Sequence, residues 1–268
     1  MKLQDLGHLD GPVLIFGGPY SNLQATRAVL DQAIARRIAP THVICTGDVV
    51  AYCAQPVETL SEIRRFGCAV VAGNCEKQLA QYLDNCGCGF DAGSTCDLLS
   101  AGWYAHTSAS VGADDRGWMA ALPDMVTFTH QGQPMAVIHG GVTDISRFVW
   151  PTDGDDVFLD EIAMIQRHAP GTSRVFSGHS GLPFQREIAG VNWVNAGVIG
   201  MPPHDGNPET RYAVLQEGQV TLHDLHYDHQ AAHAAMQTAG LHQGYDRALL
   251  SGYWPSEDVL PPALRARG

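Results

Sequence analysis

The chain has no long hydrophobic run, no basic excess and no Cys-x-x-Cys pair, and each absence removes a class of function. No stretch approaches the roughly 20 apolar residues that a bilayer-spanning helix needs. Residues 1–5 lack the basic start and apolar stretch of a secretory signal, so a cytoplasmic location without a membrane partner is expected. Lys and Arg number 16 against 28 Asp and Glu, a net charge of −12. Such a surface repels polyanions, so nucleic acid is not expected as a partner. A small phosphorylated ligand remains compatible, because a local metal ion outweighs the global charge. Seven cysteines is an odd count, and cytosolic thiols stay reduced, so no disulfide framework is expected. Cys75, Cys86, Cys88 and Cys96 lie near one another, but Cys-Gly-Cys is not structural-zinc spacing. A replacement metal or redox centre and a set of buried or capping thiols both stay open. There is no internal repeat or low-complexity linker, so residues 1–268 read as one domain. Its Pro-rich tail, 252–268, is ordered where it docks.

What is present is a regular alternation. Residues 12–16, 41–45 and 68–72 are short apolar runs that read as buried strands. A helix over 22–37 and another opening at Pro56 separate them. That order predicts parallel pairing with right-handed crossovers. Residues 75–122 read as mostly helical, interrupted at 85–89. Strands at 126–129 and 135–138 flank the turn Gly132-Gln133-Pro134, and a helix covers 155–168. The second half holds short strands at 174–177, 184–188, 191–195, 212–215 and 220–225, a mostly antiparallel pattern. Helices at 229–238, with Asp228 as N-cap, and at about 241–251 follow. The halves are expected to form two sheets packed face to face, with helices outside.

Five strand ends carry polar motifs: Gly18-Pro19-Tyr20-Ser21-Asn22, Gly47-Asp48, Gly73-Asn74-Cys75-Glu76, His139-Gly140-Gly141 and Gly178-His179-Ser180-Gly181. Proteins of the α/β class place their chemistry in such loops. Asp48 offers a carboxylate, Asn74 an amide oxygen, and His139 and His179 imidazoles, a donor set suited to a divalent first-row cation. Taken singly, Asp48 reads equally as a turn residue, Asn74 as a helix cap, and the two histidines as satisfied near-surface groups. Four of them at strand ends in chain order point to one site. His223, His226, His229 and His233 resemble a metal tract, but they divide between a strand and a helix and need not converge. Gly17-Gly18 reads either as a backbone anion nest or as a tight turn.

These motifs resemble those of the calcineurin-like metallophosphoesterase superfamily, in its small single-domain prokaryotic branch. The family's blocks are Asp-x-His, Gly-Asp, Gly-Asn-His-Asp/Glu, His-Gly and Gly-His-x-His, and the likeness runs from about residue 12 to about 250. Gly47-Asp48-Val49-Val50-Ala51-Tyr52 and the stretch 194–202 are similar to further family blocks. The resemblance implies an α/β fold, a four-layer αββα sandwich of two mixed β-sheets flanked by helices. It also implies a two-metal site between the sheets and hydrolysis of a phosphomono- or phosphodiester.

Three departures bear on the first metal: its Asp falls on Gly18, its His on Tyr20, and the last His of Gly-His-x-His on Gly181. Asp48, Asn74, His139 and His179 complete the second metal's set. One divalent ion per chain is therefore expected, with Mn, Fe, Zn and Ni not distinguished. Cys75 replaces the family's catalytic His, and with Asp48 it is the candidate catalytic pair. Beside a metal its thiolate is favoured, which makes it a ligand or nucleophile rather than an acid. Tyr20, Asn22, Arg147 and His204 are candidate substrate contacts, His204 in its protonated form. Arg147 reads equally as a partner of Asp144. The leading expectation is a divergent phosphoesterase acting on a small phosphorylated substrate through a metal-activated water. The alternatives are a non-catalytic binding or regulatory protein, and a Cys-assisted metal or redox protein on the same scaffold. No feature of the sequence indicates an oligomeric state.

Overall fold

The computed structural model describes residues 1–266. In chain order they form β1 (Leu3–His8), β2 (Val13–Phe16), α1 (Leu23–Ala35), β3 (Val43–Cys45), α2 (Pro56–Phe66) and β4 (Ala69–Val70). There follow α3 (Asn74–Ala80), α4 (Thr95–Ser110), α5 (Ala113–Ala121), β5 (Met125–His130), β6 (Gln133–Val137) and α6 (Asp155–His168). The rest is β7 (Arg174–Ser177), β8 (Phe184–Ile188), β9 (Val191–Asn195), β10 (Thr210–Gln216), β11 (Gln219–Leu225), α7 (His229–Thr238) and α8 (Tyr245–Ser251).

Two mixed sheets result, one ordered β11-β10-β2-β3-β4 and the other β1-β5-β6-β7-β9-β8. β2, β3 and β4 pair in parallel, as the alternation of strand and helix predicts, and β10 adds antiparallel to β2. The period of two along each strand decides the layering. Val13 and Ile15 of β2 point into the core between the sheets, with Ile44, Phe128, Phe176 and Val194. Leu14 and Phe16 point the other way, into a core closed by Leu30, Leu60, Met236 and Leu249 of the helices. Across the second sheet, Val175 and Trp193 meet Phe158, Ile162 and Ile165 of α6. A strand buried on both faces has no polar positions, which is why β2 reads as a continuous apolar run. The layers are therefore helix, sheet, sheet, helix, as the resemblance implies.

Two regions differ from the sequence reading. β1 carries no alternation and is mostly exposed, yet it pairs in parallel with β5, Leu3 opposite Met125. Backbone pairing at a sheet edge holds it, and no hydrophobic period records that. The interruption expected at 85–89 extends over 81–94: Gly87, Gly89 and Gly93 adopt left-handed φ of 59°, 76° and 77°, and the chain becomes helical again at α4, which the Ser94 side chain caps. Within this segment Cys86 and Cys88 form a disulfide, against the expectation of reduced thiols. Gly87 turns the chain so that the two Cα atoms lie 5.3 Å apart. The other five cysteines are free.

The tail docks through Leu260, buried with Trp150 and Leu182, and through Trp254, whose indole N–H donates to the Pro202 carbonyl at 2.7 Å. Residues 267–268 of that tail lie outside the described residues. Among the described residues no helix is long and apolar enough to cross a membrane.

Candidate metal centre

The loop after β3 reverses at Gly47 and Asp48, with φ of 100° and 53°. Gly47 cannot carry a side chain: a Cβ there would stand 2.7 Å from the Gly73 nitrogen and 2.9 Å from His139 Nδ1. A Cβ on Gly73 would fall 2.2 Å from Asp48 Oδ1. The two glycines thus let the β3 and β4 loops and a histidine of the opposite sheet approach closely. Glu76, fully buried on α3, accepts from the Asp48 and Gly73 amides at 2.8 Å each and from Val50 at 3.4 Å. It fastens the two loops together.

Asn74 donates through Nδ2 to the Cys86 carbonyl at 2.9 Å, so Oδ1 turns inward, 2.9 Å from His139 Nε2. His139 donates through Nδ1 to the Thr46 carbonyl at 2.7 Å, which leaves the Nε2 lone pair facing the site. His179 Nδ1 lies 3.1 Å and Asp48 Oδ2 3.3 Å from that Nε2. The structure therefore brings together all four sequence-predicted ligands, each at least nine-tenths buried. Among the described residues, the acidic, thiol and imidazole groups able to hold an ion together are Asp48, His139 and His179, with ligand atoms within 4.8 Å of one another.

The arrangement calls for a cation. Carboxylate, amide oxygen and two imidazole nitrogens converge with hardly a donor among them. Burial raises the Asp48 carboxyl, but His139 outweighs it and holds Asp48 below the ordinary range. Burial lowers His139, and Asp48 beside it outweighs that and raises it. His179 is pushed down to about 4 by burial and by His139. A positive charge beside the Asp48 carboxylate is what these neighbours favour; a proton on His139 supplies it in part, and a divalent ion would meet the same demand more fully. The Ser146 and Cys88 carbonyls favour protonated His179 weakly, but its buried Nε2 has no hydrogen-bond partner.

The neighbouring positions are packed otherwise. A Cβ on Gly18 would meet the Tyr20 ring at 2.5 Å. Tyr20 itself has φ of 53° and packs edge-on against Tyr52, ring centroids 4.7 Å apart. A Cβ on Gly181 would face the Trp254 ring at 3.5 Å and Val198 at 3.6 Å. Apolar and aromatic side chains thus stand beside Gly18 and Gly181. Gly17-Gly18 is extended backbone, neither a tight turn nor an anion nest, with Gly17 bridged in parallel to Val198. The carbonyls of both accept from the 199–200 strand-like segment, and a Cβ on Gly17 would strike the Gly197 carbonyl oxygen at 2.2 Å.

Three expected substrate contacts are corrected. Asn22 is buried and spent on the fold: Oδ1 caps α1 by accepting from Ala25 at 3.0 Å, and Nδ2 donates to Gly200 at 3.1 Å. Arg147 pairs with neither a free pocket nor Asp144 but with the buried carboxylate of Glu161 at 2.9 Å. His204 accepts the Trp254 amide on Nδ1 at 2.8 Å and donates from Nε2 to Glu257 at 2.7 Å, which fastens the tail. With no ion beside it, burial, with Asp48 and Glu76 adding to it, holds the Cys75 thiol far above the ordinary range. The four C-terminal histidines do not converge: His226 pairs with Glu209, His223 stacks on Tyr212, and His233 bonds the Asp246 carbonyl. Asn22→Ala is expected to cost about 0.5–2 kcal/mol of stability as a lost cap, with metal content unchanged. Denaturant unfolding together with metal analysis checks both.

Sequence reasoning missed Glu76 and Phe148. The spacing of Gly73 and Glu76 is that of a capping box, which could have flagged Glu76. Phe148, whose ring lies 4.4 Å from that of His179, leaves no local signal.

Residues 18–219 match the model of the calcineurin-like phosphoesterase superfamily domain. The protein MJ0912 of Methanocaldococcus jannaschii is 23% identical over 245 residues, which is 82% of this chain and 90% of that one. A metallophosphoesterase from Sphaerobacter thermophilus superposes with a TM-score of 0.67 at 22% identity, over 91% of this chain and 100% of its own. The hypothetical protein PH1004 from Pyrococcus horikoshii OT3 gives 0.73 at 14% identity, over 92% and 99%. At these identities the solved structures speak for the fold, and the family model, matched over most of the chain, speaks for descent: the chain belongs to the calcineurin-like phosphoesterase superfamily.

Proposed function

We propose that the protein is a divergent phosphoesterase that hydrolyses a small phosphomono- or phosphodiester with one divalent ion, held by Asp48, Asn74, His139 and His179. The observation that carries this is the convergence of three lone-pair donors on His139 Nε2, at 2.9, 3.1 and 3.3 Å, in a buried site. When bound, the ion supplies Lewis-acid polarisation of a phosphoryl oxygen and a water of lowered pKa.

The chain's own residues do the rest. Thr46 fixes the His139 tautomer through its carbonyl. Asn74 is aimed by the Cys86 carbonyl, and Asp48 is held at its amide by Glu76 and at Oδ1 by the Cys75 amide. Asp48 supplies the negative charge of the donor set. Cys75, fully buried, lies behind Asp48 and holds it through its amide. The Tyr20 ring against Gly18 supports a single ion, because the neighbouring position keeps no ligand of its own apart from Asp48. The same packing favours a second reading, a ligand-binding protein that retains one ion without turnover.

Metal analysis of protein purified without chelator, followed by assay on p-nitrophenyl phosphate and bis(p-nitrophenyl) phosphate, tests the proposal. About one ion per chain is expected, with hydrolysis that His179→Ala abolishes. An ion without hydrolysis of any phosphoester would select the second reading, and a chain that takes up no ion would sink both.

A further inference from the structure

Cys86 and Cys88 close a disulfide around one residue, Gly87. The stabilisation a cross-link gives grows with the loop it closes, so this one contributes little to folding. Its sulfurs stand instead beside the metal centre. The Asn74 amide nitrogen lies 3.4 Å from Cys88 Sγ and 3.6 Å from Cys75 Sγ. Three sulfurs, one from α3 and two from the turn at 86–88, thus gather at one ligand of that centre. All three cysteines are more than nine-tenths buried.

The turn is held by contacts other than the disulfide. Gly87 packs so closely that a Cβ would stand 2.2 Å from Gln78 Nε2. Its carbonyl accepts from Ser146 Oγ, and the Cys86 carbonyl accepts from Asn74. None of these contacts passes through sulfur, so reduction leaves them in place. The turn lies between exposed Asn85 and Gly89, within reach of a small reductant. Cys96 stands apart, against Ser256 and Val259 of the tail.

We propose that reduction of Cys86–Cys88 by a dithiol opens a second metal site, in which Cys75, Cys86 and Cys88 bind one soft divalent ion such as Zn²⁺. The Cys86–Cys88 bond breaks, and its sulfurs take the two electrons and two protons that the dithiol loses on closing its own disulfide. The ion then displaces one proton from each of three thiols and forms three metal–sulfur bonds. Cys-Gly-Cys alone lacks structural-zinc spacing, and the fold adds the third thiolate from α3. Thiolates select softer ions than the carboxylate, amide and imidazole donors around Asp48 do. Asn74 serves both sites, with Oδ1 facing His139 and Nδ2 facing the sulfurs. In the disulfide form the count stays at one ion. The inference goes beyond the function proposed above and needs no turnover.

The test reduces the full chain with dithiothreitol, removes the reagent by gel filtration without oxygen, and titrates Co²⁺ beside the oxidised chain. Cobalt on thiolates gives a sulfur-to-metal charge-transfer band in the near ultraviolet, which cobalt on nitrogen and oxygen does not. The reduced chain is expected to show that band, saturating at about one equivalent, and the oxidised chain to lack it. Cys45, Cys53, Cys68 and Cys96 are free in both forms and cancel. In the reduced chain Cys75→Ser should weaken this binding at least about 100-fold, since groups that only orient a metal ligand already cost about 10–100-fold. Asp48→Asn, which strips the neighbouring centre, should keep the band. No band in the reduced wild type, an equal band in the oxidised one, unchanged affinity in Cys75→Ser, or a band lost in folded Asp48→Asn would overturn the inference. The wild-type comparison needs no substitution, so a variant that fails to fold leaves it decisive.

Discussion

Asp48→Asn is expected to strip the bound ion and with it at least about 100-fold of turnover. Changes to residues that merely orient a metal ligand cost about 10–100-fold in affinity or activity, and Asp48 contributes the charge of the donor set itself. The substitution keeps the shape. An asparagine Oδ1 can still accept the Cys75 amide that Asp48 Oδ1 now accepts at 3.2 Å. What changes is the atom 3.3 Å from His139 Nε2, where a carboxylate oxygen gives way to an N–H donor. That donor satisfies the His139 lone pair without any cation, so the variant gains a metal-free solution to the electrostatics of the site. Elemental analysis and kcat/KM on the same sample measure the effect, and an unchanged thermal midpoint shows that folding is intact. A fully loaded, fully active Asp48→Asn protein would remove Asp48 from the centre.

Glu76→Ala should instead damage the fold. The substitution leaves the amides of Asp48 and Gly73, and the more distant one of Val50, without their carboxylate acceptor in a buried place. Each unpaired buried donor costs about 1–3 kcal/mol, so a loss of roughly 3–6 kcal/mol is expected. Such a loss takes a large share of a domain's total stability. Glu76→Gln keeps an oxygen for the two short bonds and should cost far less. Burial, and Asp48 beside it, push the Glu76 carboxyl up to about 7. A carboxyl whose folded pKa lies above its unfolded one loses stability as pH rises from about 4.5 toward 7. The wild-type protein without metal should therefore lose stability relative to Glu76→Gln across that window. Urea melts of both variants at several pH values measure it, and a flat difference would show that Glu76 titrates as an ordinary surface carboxyl does.

How far the site was legible depends on what each residue's neighbours leave in the chain. Asp48, Asn74, His139 and His179 could be read because each follows a strand that is apolar on both faces, and strand ends are where side chains of different strands meet. Asn22, Arg147 and His204 carried equally suitable chemistry, and all three proved committed to other partners. Their partners are Gly200, Glu161 and Glu257, at separations of 178, 14 and 53 residues. A polar residue type states what bonds are possible. It does not state which distant group has already taken them. β1 failed for a related reason, since an exposed edge strand is held by backbone pairing with β5 and has no side-chain period to show. The break at 85–89 was legible, but its extent over 81–94 was not: Gly93, also left-handed, prolongs it beyond the two glycines inside that stretch.

The sequence by itself determined the layered α/β architecture and the four-residue donor set. Both follow from local rules, the period of two along buried strands and the placement of polar loops at their ends. Only the tertiary structure decided what surrounds that set. Tyr20 lies against Gly18, and Trp254 of the docked tail faces Gly181. These contacts join residues far apart in the chain through packing alone, and packing leaves no periodic trace in the sequence from which it could be read.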